Sequence, residues 1–373
     1  MAVLGKELIM TIEKIGKIEA ISLILVVMFN EIVLNVPTTI ILSTNSGTVL
    51  NLIFIIALAI IFTLIICKLF KPFAGKDILD ISEYVGGKTL KTIIGILFIL
   101  LFVFLCSLSI RYLGNSIKVI YFPNSPLIFI LLFLIIPILF INKFGLKTIS
   151  GVNLIFMPLF LISFIFLIIA TCKLFTVERI FPILGDGFFT TFVKGSTNLY
   201  AFTGLTHLYF MPALLKDSKD FKKVSVISIV ISAFFLFIST LSLLMTFPAI
   251  TSTDETLSVY LLTRLVEISQ FLERLDALFI FVWVIALISL MSFACFYIIQ
   301  IFKKISNIED SKALLGPLGL IILGNCLAFK NLYSLKFFAR VIYKYSALIL
   351  IFGIAFVVLI AGNIKYKKNK PQE

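Results

Sequence analysis

Long apolar runs alternate with short polar punctuation along the chain, and that alternation predicts its elements. Runs of roughly 20 residues, enough at 1.5 Å per residue to cross a hydrocarbon core about 30 Å thick, lie near 17–42, 48–70, 90–118, 126–141, 146–171, 190–213, 224–248, 274–302, 313–329 and 338–362. None carries the two-residue alternation of a barrel strand. They therefore predict helices, which satisfy every backbone hydrogen bond internally. The expected architecture is an all-α polytopic membrane protein with ten transmembrane helices. It forms a single membrane domain over 1–373, divided into five-helix repeats at 17–172 and 190–362.

Composition settles the solvent. A chain that is 61% hydrophobic and only 14% charged, with a mean hydropathy of +1.16, has too little polar surface to coat a soluble globule of its size. The first sixteen residues, MAVLGKELIMTIEKIG, are interrupted by charges and show no cleavage site, so no cleaved signal peptide is expected. Most of the 32 lysines and arginines fall on alternate connections: Lys68, Lys71, Lys76, Lys88 and Lys91 in one loop, Lys216, Lys219, Lys222 and Lys223 in another, and more at both ends. Basic loops resist translocation, so both termini are expected on the cytoplasmic side. The net charge of +13 reports this sorting and attracts anionic lipid; nucleic-acid binding is not expected. The five cysteines, Cys67, Cys106, Cys172, Cys295 and Cys326, lie apart without metal-ligand spacing and read as small apolar packing. No cofactor or metal is expected, and no nucleophile and base pair suggests an enzyme.

Two apolar runs are interrupted by polar residues at comparable places. Span six reads NLYAFTGLTHLYFMP, in which Thr203, Gly204, Thr206 and the sole histidine, His207, precede Pro212. Span one reads MFNEIVLNVP, in which Asn30, Glu31 and Asn35 precede Pro37. An ionised carboxylate at mid-membrane costs about 3 kcal/mol on insertion scales, so Glu31 either faces the protein interior or is protonated. Each interruption opens one expected half of five helices. This is the pattern of inverted-repeat transporters, in which broken helices 1 and 6 free backbone groups for a ligand near the midplane. Freed N–H groups and the positive end of a half-helix favour a carboxylate, and freed carbonyls favour an ammonium. The ligand expected is a small zwitterion. The alternative for each residue alone is ordinary helix packing, with threonines bonding back to their own helix.

Further polar positions lie within the apolar runs. Ser107, Arg111 and Asn115 share one face of span three; Arg111 either points toward a vestibule or partner or snorkels to the outer headgroups. Asp276 lies a turn inside span eight and is expected to pair with a cation, while Ser289 and Ser292 offer hydroxyls for packing or for ligand contact. The external segment 248–273 predicts an amphipathic helix over 256–269, and the internal loop KPFAGKDILDISEYVGGK predicts a short helix after Asp77 and Asp80.

Four segments in order, KDILDISEYVGGKTLK, RIFPILGDGFFTTFVKG, NLYAFTGLTHLYFMPALLK and FLERLDALFIFVWV, resemble the recurring segments of the permease-like B subunits of spore germinant receptors. The likeness runs over about 17–362. That family is similar in fold to the amino acid, polyamine and organocation transporter superfamily. The resemblance implies a small-molecule germinant, commonly an amino acid, bound between broken spans one and six, with spans three and eight completing the pocket. Carried over by position, the ligand-binding candidates are Asn30, Glu31, Ile32, Val33, Cys106, Ser107, Phe202, Thr203, Gly204, Leu205, Thr206, Ser289 and Ser292. Arg111, Asp276, Pro37 and Pro212 are structural or ion-pair candidates. The resemblance also implies A and C partner subunits in the inner membrane of the spore. Where that family often has glycine in the first break, this chain has Asn30 and Glu31, which leaves room for a cationic or more polar ligand. Nutrient sensing and secondary transport coupled to protons or sodium share this fold and both remain open.

Overall fold

The computed structural model describes residues 13–34, 36–247, 262–263, 265, 275–306, 308, 310 and 312–369, without the side chains of 33, 34 and 275–278. Asn35, the expected external helix over 256–269 apart from three positions, and the side chains of Val33 and Asp276 lie outside the described residues. The described chain is helical throughout. Its one β-type contact is an isolated parallel bridge between Ile15 and Leu215.

Each apolar run carries helix. Span one is built in two pieces, α1 (Lys17–Leu34) and α2 (Val36–Thr44). They are followed by α3 (Thr48–Phe70), α4 (Ile78–Ile120), α5 (Leu127–Asn142) and α6 (Leu146–Thr171). Span six is irregular, running through a π turn (Phe189–Val193) and a 3-10 stretch (Lys194–Tyr209) into the single turn α7 (Met211–Leu214). The remainder is α8 (Phe221–Thr246), α9 (Leu275–Ser306), α10 (Leu315–Ala328) and α11, a run over Leu332–Asn369 interrupted by π turns at Phe338–Tyr343 and Ile349–Ile354.

Among the described residues, six stretches are long and apolar enough to cross a bilayer. The other expected spans are broken, as spans one and six are, or short, as α5 and α10 are. Length and apolarity therefore confirm a helical, multi-pass membrane protein and leave the expectation of ten spans a count of runs.

The internal loop shows how sequence sets such a boundary. Asp77 caps α4 by accepting from the backbone N–H groups of Leu79 and Asp80, and the Asp80 carboxylate accepts in return from the N–H of Asp77. Two turns later Gly87 adopts φ 71°, which L side chains rarely adopt. The kink at Gly86 and Gly87 separates a short helix after Asp77 from the long span. Buried side chains concentrate on α1, the middle of α4, span six and α9, which pack on one another, while α5, α6, α10 and α11 turn broad apolar faces outward.

Candidate functional site: a cavity beside the first broken span

The two prolines show why spans one and six break where they do. Pro37 is the second residue of α2 and Pro212 the second of α7. Proline lacks the N–H that would continue a preceding helix but fits the first turn of a new one. Upstream of Pro212 the backbone leaves helical geometry at Phe202 (φ −106°, ψ 27°), inside the NLYAFTG stretch.

Asn30 and Glu31 are neighbours on α1, so their side chains diverge by about 100° around the helix. Asn30 donates through Nδ2 to its own helix at Val26 O (2.9 Å) and across to α9 at Ala286 O (3.0 Å), fastening the two helices. Glu31 lines a small cavity beside the first broken span. Its walls are Thr39 of α2, Leu105, Leu108, Ser109 and Tyr112 of α4, Tyr200 of span six, and Ala339, Arg340, Tyr343 and Lys344 of α11.

Opposite charges face this cavity without facing each other in an ion pair. Glu31 is 9% exposed and forms no hydrogen bond or ion pair with any described residue. Lys344, 8% exposed, donates to Thr197 Oγ1 at 3.0 Å and lies 4.8 Å from the centroid of the Tyr200 ring, a cation–π contact. The Tyr112 hydroxyl is buried without a partner among the described residues. The π turn at Phe338–Tyr343 adds a residue to the turn of α11 immediately before Lys344, and π bulges often occur at functional sites. The result is an anionic group, cationic groups and tyrosines around one space.

Of the residues expected at the site, Glu31 lines this cavity. Gly204 lies against α1: a Cβ there would meet Met28 Sδ at 2.7 Å and Val27 Cγ1 at 3.0 Å. Thr206 bonds back to the carbonyl of Thr203, and Ser107 to that of Val103. Phe202, Leu205 and Ile32 are buried in the core around the same crossing, as is Thr203 among the polar residues. Cys106 is fully buried beside Cys295. Ser289 donates to Asn153 Oδ1 of α6 at 3.1 Å, and Ser292 bonds back to Ile288 while its own carbonyl accepts from Asn142. Arg111 donates to Phe329 O at the end of α10, 2.9 Å away.

The cavity residues beyond Glu31 escaped sequence reasoning, although two signals were available. Leu105, Leu108, Ser109 and Tyr112 form a stripe at helical spacing beside the Ser107 and Arg111 stripe. Arg340, Tyr343 and Lys344 stand at i, i+3 and i+4 inside an apolar run, where a lysine is as costly as Glu31.

Spans one and six are tied above and below their crossing. On one side, Asn198 of span six donates to Ser43 Oγ (2.7 Å) and Asn51 Oδ1 (2.9 Å), and Asn51 donates to Thr191 O (2.8 Å). The loop carrying LGDG docks there. Gly185 has φ 58°, and a Cβ on it would lie 2.6 Å from Gly47 N. On the other side Ile15 N donates to Leu214 O (2.9 Å) and Lys216 N to Ile15 O (3.0 Å). His207 is packed between these ties. Its ring stacks on Phe293 at 5.3 Å and meets Phe102 and Tyr297 edge-on or tilted, Nδ1 lies 3.1 Å from Gly204 O, and Nε2 is buried without a partner among the described residues.

Broken helices crossing beside a polar cavity define a permease-like membrane protein of transporter fold. A solved Na+-coupled sialic acid symporter, in a substrate-bound outward-open state, superposes with a TM-score of 0.66 over 96% of this chain and 91% of its own, at 12% identity. That identity supports the fold alone. The sequence places the chain more narrowly: the spore permease model, described as Spore germination protein, matches residues 14–333, and the chain belongs to that family. Among its relatives in Bacillus subtilis (strain 168), spore germination protein B2 is 24% identical over 68% of both chains. Spore germination protein YndE is 24% identical over 72% of this chain and 75% of its own.

Proposed function

We propose that this chain is the nutrient-sensing, permease-like subunit of a spore germinant receptor, and that the cavity beside Glu31 takes a small zwitterionic or cationic ligand, an amino acid foremost. The observation that carries the reading is Glu31: a carboxylate buried in an apolar span, facing a cavity and lacking a partner among the described residues. A ligand ammonium supplies the missing counter-charge, and Lys344 and Arg340, which line the same cavity from α11, suit a carboxylate. Tyr112, Tyr200 and Tyr343 offer hydroxyls and ring faces between them. Because α1 and span six cross at Gly204, occupancy of the cavity biases how the two broken spans pack. A change of that kind is what partner A and C subunits in the spore inner membrane read out. Membership of a spore germination family supports the sensing role over nutrient uptake. The two repeats at 17–172 and 190–362, with both termini cytoplasmic, belong to the same reading.

Deletion of the gene, followed by germination of the spores against a panel of nutrients, tests the role. Loss of response to one nutrient or class, restored by the intact gene and not by Glu31→Gln, supports sensing through this cavity. Radiolabelled uptake of that nutrient into vesicles holding this chain alone identifies a transporter instead.

A further inference from the structure

A second, larger cleft of about 1370 Å³ lies between the end of α3, the turn α7 and the start of α8, away from Glu31. Four lysines rim it, Lys68 and Lys71 from α3 and its extension and Lys219 and Lys222 from the start of α8, all exposed, and no carboxylate lines it. Asp217 and Asp220, the nearest acidic residues in sequence, lie outside its lining. Asp217 is engaged with the N–H of Lys219. Beneath the lysines the floor is apolar: the rings of Phe70 and Phe221 meet edge to face, with centroids 5.4 Å apart. Leu64, Cys67, Lys68 and Lys71 follow the i, i+3, i+4, i+7 spacing of one helix face. The cleft is thus cationic at the rim and leads along α3 to Leu64, an outward-facing apolar side chain 42% exposed.

We infer that this cleft binds an anionic phospholipid, its phosphate among the four lysines and an acyl chain along Leu64. Charge complementarity selects the headgroup, since each lysine near a membrane surface adds attraction for anionic lipid. The continuous run from lysines to outward apolar surface selects a lipid over a soluble anion. Pro212 also lines the cleft, so the lipid touches α7, the segment of span six beyond its break, and bears on how that segment is held. This inference does not depend on what the Glu31 cavity binds.

The test uses the full chain, purified in detergent and exchanged into nanodiscs of phosphatidylcholine with or without phosphatidylglycerol, and scored for retained lipid by native mass spectrometry. The intact chain is expected to retain phosphatidylglycerol at least tenfold over phosphatidylcholine. The combined Lys68→Gln, Lys71→Gln, Lys219→Gln and Lys222→Gln variant loses that preference. A control removing equal charge elsewhere, Lys143→Gln, Lys147→Gln, Lys367→Gln and Lys368→Gln, keeps it. Leu64→Trp, which fills the apolar end and leaves every lysine, also lowers retention and provides the readout should the quadruple variant fail to fold. Equal losses in the control and the cleft variant, or retention unchanged in both cleft variants, overturn the inference. So does displacement of the lipid by millimolar inorganic phosphate with Leu64→Trp having no effect, which identifies a free-anion site.

Discussion

The Glu31 cavity and the His207 cluster lie on two sides of one helix crossing and solve opposite problems. At the cavity, charged and hydroxyl groups line the walls, and Glu31 and the Tyr112 hydroxyl find no protein partner among the described residues. Around His207 the space is filled. Phe102, Phe210, Phe293 and Tyr297 pack within 6.2 Å centroid distances of one another or of the histidine ring. Beyond this cluster Lys304 of α9 bonds Asp77 at 2.6 Å and Asp80 at 3.0 Å. Polar groups left unsatisfied around a void are suited to a ligand. Polar groups embedded among aromatic rings, beside an ion cluster, are suited to closing one side of the protein.

Removing the ion cluster gives the largest effect. Lys304→Met leaves two carboxylates facing each other, with Asp77 7% and Asp80 33% exposed. Removing one partner of a buried ion pair costs about 3–5 kcal/mol; Asp80's exposure sets the expectation at the lower end, about 3 kcal/mol. Thermal unfolding of the purified protein checks it. Adding Asp77→Asn recovers part of the loss, and a wild-type unfolding midpoint in the single variant refutes a closing role for the cluster.

Next comes the crossing that both regions share. Gly204→Val drives side-chain atoms toward Met28 and Val27, and overpacking of a core typically costs 1–3 kcal/mol. Abundance in spore membranes and germination response are expected to fall together. Response lost at normal abundance instead assigns Gly204 to the ligand.

At the cavity, Glu31→Gln keeps the shape and removes the charge. The nutrient concentration for half-maximal germination is expected to rise at least tenfold, about 1.4 kcal/mol, with abundance unchanged. An unshifted dose-response curve refutes the counter-charge role and takes the proposed ligand chemistry with it.

The smallest effect is expected at the histidine. His207→Phe retains the ring stacking, removes Nε2, which has no partner among the described residues, and gives up the single contact of Nδ1 with Gly204 O, so unfolding should shift by no more than about 1 kcal/mol. Germination should be unaltered. A loss of response at unchanged stability shows that the filled side also serves the signal.

Much of this was legible in the chain. Long apolar runs fixed the membrane class, because a hydrocarbon solvent admits only self-satisfied backbone. Pro37 and Pro212 marked the second pieces of spans one and six, because proline's missing N–H is a local fact. Asp77 and Asp80 announced a short helix for the same local reason, whereas the kink at Gly86 and Gly87 that ends it came from the structure. Glu31 declared itself by its cost. Which residues share space with it was decided by the fold. Asn30 and Glu31, adjacent in sequence, serve different interfaces because α9 packs on one side of α1 and α4 and α11 bound a cavity on the other. Lys344 and Arg340 reach that cavity beside a π turn in α11, and hydropathy is blind to such a shift. Ser289 and Ser292, equally polar in sequence, are taken up by Asn153 and by their own helix. Sequence determines which groups cannot remain in lipid unaided; tertiary packing determines which of them meet a partner within the protein and which are left facing a cavity.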